Sequence, residues 1–149
     1  MLGLRDQLRE DLKAAMRAKE TVRRDTIRML EAAIKNAEIE KRGELEESDV
    51  QIIIQKQVRQ REDSIEQFEK GDRKDLADKE RAEIEVLTGY LPAQLDRAAI
   101  MDAARAVIER TGASGPGDKG KVMAPLMGEL RGQADGRLVN EVVGELLGG

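Results

Sequence analysis

Gly115 to Val122 reads GPGDKGKV, following the G-x-x-x-x-G-K spacing of a nucleotide-phosphate loop. In such a loop backbone N–H groups cradle the phosphates, the lysine neutralises them, and a Ser or Thr after the lysine holds Mg²⁺. Here Val122 stands in the hydroxyl's place, and the preceding AARAVIERTG reads as a helix ending at Gly112 where the loop needs a strand. That context argues against a nucleotide-triphosphate site. Two readings remain. Asp118 caps a helix whose free N–H groups, beside Lys119 and Lys121, form an anion site, or the segment is a routine capped start with solvated lysines.

The arrangement recurs in GQADGRLVNE, with Asp135 as N-cap, Gly136 and Arg137 in the first turn, Asn140 one turn on and Arg131 just upstream. Two glycine-lined helix starts can contact two phosphates of a nucleic-acid backbone, or the second can be a tight helix–helix turn. Arg23, Arg24 and Arg28 form a further basic stripe, near Arg17 and Lys19. Its alternative is pairing with carboxylates of the next two helices, a modest contribution per exposed pair. Asp78, Glu80, Glu83 and Glu85 alternate with bases at three- and four-residue spacing, the pattern of a solvated helix.

Composition removes most other chemistry. Among 149 residues there is no Cys, His or Trp, so disulfides, thiolate nucleophiles, Cys-ligated metals and a histidine base are excluded. No apolar run approaches the roughly 20 residues that span a bilayer. MLGLRDQLRE lacks the continuous apolar stretch of a secretory signal, so the expectation is a soluble cytoplasmic protein with no membrane partner. The net charge is −4, but it is polarised: +3 over residues 1–42, −6 over 43–95 and −1 over 96–149. The acidic total gives no blanket case for nucleic acid.

With Phe68 and Tyr90 the only aromatics, a core must come from aliphatic residues, which favours helices packed on helices. The expected fold is all-α. All three prolines follow residue 91 and ten of 14 glycines lie at or after Gly112, so TGYLPAQLD is read as a boundary between residues 1–91 and 92–149. Before it, apolar spacing predicts helices over about 2–18 (Leu4, Leu8, Leu12, Ala15) and 21–41 (Val22, Ile27, Leu30, Ile34, Ala37). A third starts at Ser48 with a capping box to Gln51, carrying Val50, Ile54, Val58, Ile65 and Phe68. A fourth starts near Asp72, carrying Leu76, Glu80, Ile84 and Leu87. Gly43, Gly71 and Gly89 fall where C-terminal glycines belong. These long helices suggest a hairpin or open bundle. Three shorter helices follow at about 97–111, 119–131 and 137–147. Pro125 should kink the second of these, and with Gly128 allow close packing against a neighbour.

The stretches IRMLEAAIKNAEIEKRGEL, RQREDSIEQFEKGDRKDLADKERAEIEVL, YLPAQL, GKVM and GQADGRLVNEVV resemble the bacterial YqeY proteins of the GatB/YqeY group along essentially the whole chain. The C-terminal part is similar to the tail domain of GatB, a subunit of the tRNA-dependent amidotransferase. The resemblance implies an N-terminal helical domain, a three-helix tail-like domain and tRNA as partner, and its tail motif falls here on Gly120, Lys121, Val122 and Met123, then Gly132, Ala134, Asp135, Leu138, Val139 and Asn140. The residues expected to meet the tRNA are Lys119, Lys121, Arg131, Arg137 and Asn140. It associates the chain with glutamine-dependent carbon–nitrogen ligation and with amidotransferase subunits or another protein. It implies no cofactor, catalytic residue or metal within this chain. Two positions depart from the family pattern. Gln133 stands where Arg or Lys is usual, and Pro125 precedes the usual proline by about three residues. The leading expectation is a non-catalytic tRNA-binding or tRNA-associated accessory protein. The alternatives are a component of glutamine-dependent amidotransferase activity and a helical adaptor docking a partner through an exposed Leu/Ile/Met face.

Overall fold

A computed structural model describes residues 3–148, and every regular element in them is helical. The all-α expectation holds. Residue 2, where the first helix was expected to begin, lies outside the described residues. The chain divides into two compact units, Met1–Leu91 and Pro92–Gly149.

The first unit holds α1 (Leu4–Arg17), α2 (Thr21–Lys41), α3 (Glu47–Lys70) and α4 (Lys74–Thr88). α1 and α2 form an antiparallel hairpin, with Arg5 near the start of one paired to Glu38 near the end of the other. α3 and α4 form a second, with Arg81 of α4 on Glu69 of α3. Leu4, Leu8, Ile27, Leu30, Ile34, Val50, Ile54 and Leu87 make its core. Val22, expected inside, is 39% exposed. Thr26 is buried instead, its hydroxyl donating to the Val22 carbonyl at 2.7 Å. On α4 the fully buried position is Ala77, with Leu76 half-buried beside it.

The helix ends fall close to expectation, but with different chemistry. α3 is capped at Glu46, whose N–H donates to Asp49 Oδ2 at 3.0 Å, so the box runs Glu46–Asp49 and not Ser48–Gln51. The glycines at the turns do not take the left-handed conformation. Lys19, Arg42 and Asp72 do, at φ 57°, 60° and 57°. Each closes a Schellman pair, as where Gly43 N–H reaches the Glu38 carbonyl and Arg42 N–H that of Ile39. Gly71 and Gly89 have ordinary negative φ.

The second unit holds α5 (Arg97–Thr111), a 3-10 turn at Pro116–Asp118, α6 (Lys119–Glu129) and α7 (Gly136–Leu146). Ile100, Ala104, Val107, Val122, Leu126, Leu130, Ala134, Val139, Val142, Val143 and Leu147 close an entirely apolar core. Here glycine does take the left-handed positions, at Gly112, Gly132 and Gly148. Pro125 lies within α6, but it is exposed, and a Cβ on exposed Gly128 would meet nothing within 4 Å. Neither brings a neighbour within the unit closer, against expectation.

Candidate nucleic-acid interface

The phosphate-loop likeness dissolves once its neighbours are placed. α5 precedes it, closed by Gly112 at φ 70°, and Val122 is fully buried in the apolar core, a position where a hydroxyl would be misplaced. Asp118 does not cap α6 with its side chain. Its carboxylate turns back to accept the Ser114 N–H at 3.0 Å and lies 3.4 Å from Lys121 Nζ. These two contacts, the Ser114 N–H foremost, hold the Asp118 carboxyl below the usual carboxylate range. The anion nearest this helix start is therefore the protein's own. Lys121 remains two-thirds exposed, so its pairing is of the weak surface kind. Lys119 is half-buried.

The glycines around these lysines are unusual in what they lack. A Cβ built on Gly115, Gly117 or Gly120 would meet nothing within 4 Å, and none has the positive φ that would require glycine. Gly120 is the second residue of α6, where the interior penalty for glycine, about 1 kcal/mol relative to alanine, applies in part.

The α7 start is built as expected. Asp135 caps it, accepting the Arg137 N–H at 3.4 Å. The turn before it is anchored to the entry of α5. Gln94 Nε2 donates to the Gly132 carbonyl at 2.8 Å, and the Leu95 N–H donates to the Gln133 carbonyl at 2.9 Å. The YLPAQL stretch thus fixes the GQADG turn. Arg131, Arg137 and Asn140 are exposed around it. The structure separates the expected cations into two groups, because 11-residue α6 puts roughly 15 Å of helix between Lys119 and the Arg131–Arg137 turn.

The N-terminal basic stripe is largely neutralised. Arg23 lies 3.5 Å from Asp11 and 3.6 Å from Glu20, and Arg24 pairs with Asp25 at 2.9 Å. The partners come from α1, its following turn and α2 itself, not from the next two helices. Only Arg28 of the three has no carboxylate in ion-pair contact among the described residues, reaching the Met16 thioether at 3.8 Å. Asp11 also accepts the Tyr90 hydroxyl at 2.6 Å, and burial with that carboxylate pushes the phenol well above its ordinary range.

One cluster escaped the sequence reading. Arg61 is 6% exposed and donates to Glu83 Oε2 at 2.8 Å, with Glu80 at 3.9 Å and the Gln57 carbonyl at 3.3 Å. Glu80 and Glu83 are thus not on a solvated face, whereas Asp78 and Glu85 are exposed, Asp78 pairing with Arg81. The signal was present. Glu80 sits on the Leu76–Ile84–Leu87 stripe, and Arg61 sits one turn before Ile65 on the α3 stripe. Among the described residues no group of three Asp or Glu is placed to hold a metal, and no helix is long and apolar enough to cross a membrane.

A family model described as Yqey-like protein matches residues 5–147. A protein of Pyrenophora tritici-repentis named altered inheritance of mitochondria protein 41, mitochondrial, is 33% identical over 146 residues, 95% of this chain and 80% of that protein. Proteins of the same name from Lachancea thermotolerans and Kluyveromyces lactis are 46% and 43% identical over 85 and 84 residues. Those matches take in 56% of this chain each, and 46% and 45% of the relatives, so the chain matches under half the length of these two. The cytoplasmic expectation is corrected here, since these relatives are named mitochondrial proteins. It rested on a missing apolar run, which speaks to secretory signals, whereas mitochondrial transit peptides are amphipathic and Arg-rich.

Proposed function

This chain belongs to the YqeY-like family, and on that premise we propose that it is a non-catalytic accessory protein that binds the phosphate backbone of tRNA through its C-terminal unit. The observation that carries the reading is Gly120. A helical glycine with open space around it, set between Lys119 and Lys121, leaves room for a phosphate to approach the backbone closely. The exposed Lys121 pair yields readily to a stronger anion. Arg131 and Arg137, about one α6 length away, meet the backbone at a second point. The choice of tRNA rests on the resemblance of residues 92–149 to the GatB tail. Contacts of this kind give salt-sensitive binding with little base readout.

Gly120→Ala is the test, because it separates stability from binding. It should raise the unfolding free energy by about 0.5–1 kcal/mol, measured by urea denaturation. Filter binding at low salt should show tRNA affinity falling at least threefold. A stabilised variant with unchanged affinity removes the reading. Lys121→Glu/Arg137→Glu should abolish binding while helicity is retained.

A second reading, the adaptor, is favoured by the surface of the other unit. Met16, Val22, Met29, Ile39 and Ile52 are large apolar side chains between 39% and 65% exposed, and all lie on α1 to α3. Stable protein partners recovered after nuclease treatment would favour it over RNA.

A further inference from the structure

A groove of about 470 Å³ runs between α1 and α2. Arg5 and Arg9 line it from α1, and Arg28, Glu31, Lys35 and Glu38 line it from α2. These four α2 positions follow one another at three- and four-residue spacing, so they form a single row along the helix. Arg5 and Glu38 satisfy each other at one end. Arg9 is 65% exposed and makes only a long contact, 3.7 Å, with Asp6 on its own helix. Arg28, Glu31 and Lys35 make no ion pair among the described residues. The free charges along α2 therefore read plus, minus, plus, with Arg9 adding a further plus from across the groove.

We propose that this groove docks a helix of a partner protein that carries an acidic stripe interrupted by one basic residue. The charge order selects this occupant. Arg28 and Lys35 are seven residues apart, about 10.5 Å along the axis, and acidic residues seven apart on a second helix have the same separation. A Lys or Arg between them, one turn from either, meets Glu31. A duplex strand carries one negative charge about every 3.4 Å of helix axis, all of one sign. Laid from Arg28 to Lys35 it brings phosphate against the uncompensated Glu31 carboxylate, which disfavours RNA here. The groove is also shaped for a helix. Exposed Ala32 lies on its α2 wall, and so small a side chain lets a partner backbone approach to the 8–10 Å typical of packed helices. Leu8 and Ile34 lie beneath its floor but are buried in the core, so recognition rests on the charged rim. The row from Arg28 to Glu38 spans about 15 Å, so about three turns of partner helix fill it.

The experiment titrates the full chain into two fluorescent synthetic helical peptides on one Ala/Leu scaffold, read by anisotropy. One peptide carries Glu, Lys and Glu at positions i, i+3 and i+7, and the other carries the reversed charges. The first should bind at least tenfold more tightly, and Arg28→Glu/Lys35→Glu should invert the preference. If that variant loses helicity, Arg28→Gln/Lys35→Gln should bring the two peptides to near parity. Equal binding of both peptides by the parent, or a preference that neither variant moves, overturns the proposal. Loss of tRNA affinity in the Arg28/Lys35 variants assigns the groove to RNA and overturns it as well. Gly120→Ala should leave peptide binding unchanged, so this docking site and the tRNA reading fail by separate measurements.

Discussion

From α1 to α4 the three interhelical turns place Lys19, Arg42 and Asp72 in the left-handed region, whereas from α5 onward Gly112, Gly132 and Gly148 hold that conformation. The interiors differ in the same direction. Arg61 is buried with Glu80 and Glu83 in the first unit, while the second has an apolar core throughout. A side chain with a Cβ in the left-handed region costs roughly 1 kcal/mol or more, and a buried ion pair is weak evidence for stability once desolvation is counted. The first unit thus contains several local choices that a more stable sequence would replace. The second contains few, and its exceptions, Gly120 and Gly128, lie on the surface. Within one chain, the first unit carries such departures both inside, at Arg61, and at exposed turns, whereas those of the second face outward only.

The sharpest way to break that comparison is at Arg61. Arg61→Ala leaves Glu83 buried without its cation and should cost about 3–5 kcal/mol. Replacing the group together, with Arg61→Met, Glu80→Gln and Glu83→Leu, should return stability to within about 1 kcal/mol of the parent or above it. Tyr90, the sole tyrosine in a chain without tryptophan, reports on the first unit in urea titrations followed by fluorescence. If the single variant and the triple variant lose stability equally, the cluster is a stabilising element and the contrast between the units fails.

The left-handed turns offer a smaller, reciprocal test. Arg42→Gly and Asp72→Gly should each stabilise by about 0.5–1 kcal/mol, and Gly112→Ala should destabilise by about 1 kcal/mol. Thermal melts read both. A loss on introducing glycine at Arg42 would mean that its side chain earns the conformation through contacts outside the turn.

Much of this was legible beforehand, and the division follows the same line. The second unit's helices, read at about 97–111, 119–131 and 137–147, fall within two residues of Arg97–Thr111, Lys119–Glu129 and Gly136–Leu146, because an apolar helix face has one period and one meaning. The bounds of α2 and α5 came out at Thr21–Lys41 and Arg97–Thr111 for similar reasons. Glu80 was placed on the α4 stripe and yet, with Glu83, read as solvated, and Arg61 was missed, because charges at three- and four-residue spacing look identical whether they face water or each other. Left-handed Arg42 and Asp72 were hidden because adjacent Gly43 and Gly71 were the better local candidates, and Lys19 because no glycine marks its turn. Among the expected anion-binding residues, exposure at Arg131 and Arg137 followed from the α7 start, and so did the Asp135 cap. The carboxylate of Asp118 was misplaced because a 3-10 turn at Pro116 begins the helix three residues earlier than the apolar pattern.

The smallest predicted effect concerns Glu80 and turns on pH. Burial, with the nearby Glu83 carboxylate, raises the Glu80 carboxyl above its ordinary 4.5, and the Arg61 cation only partly opposes this. In the folded unit Glu80 therefore keeps its proton at pH values where the unfolded chain has released it. The stability this supplies is present below pH 4.5 and is lost as pH rises through the folded value. Glu80→Gln keeps the shape and removes the titration. Its stability relative to the parent should rise with pH from about 4.5 upward and level off near neutrality, a gain of less than about 1 kcal/mol at a site only partly shielded from solvent. Urea titrations at pH 4 and pH 7 measure the difference. A difference that is flat with pH, or that favours the parent at pH 7, would show that Arg61 outweighs burial at Glu80. The first unit's buried charges would then be as well matched to their surroundings as the second unit's aliphatic core.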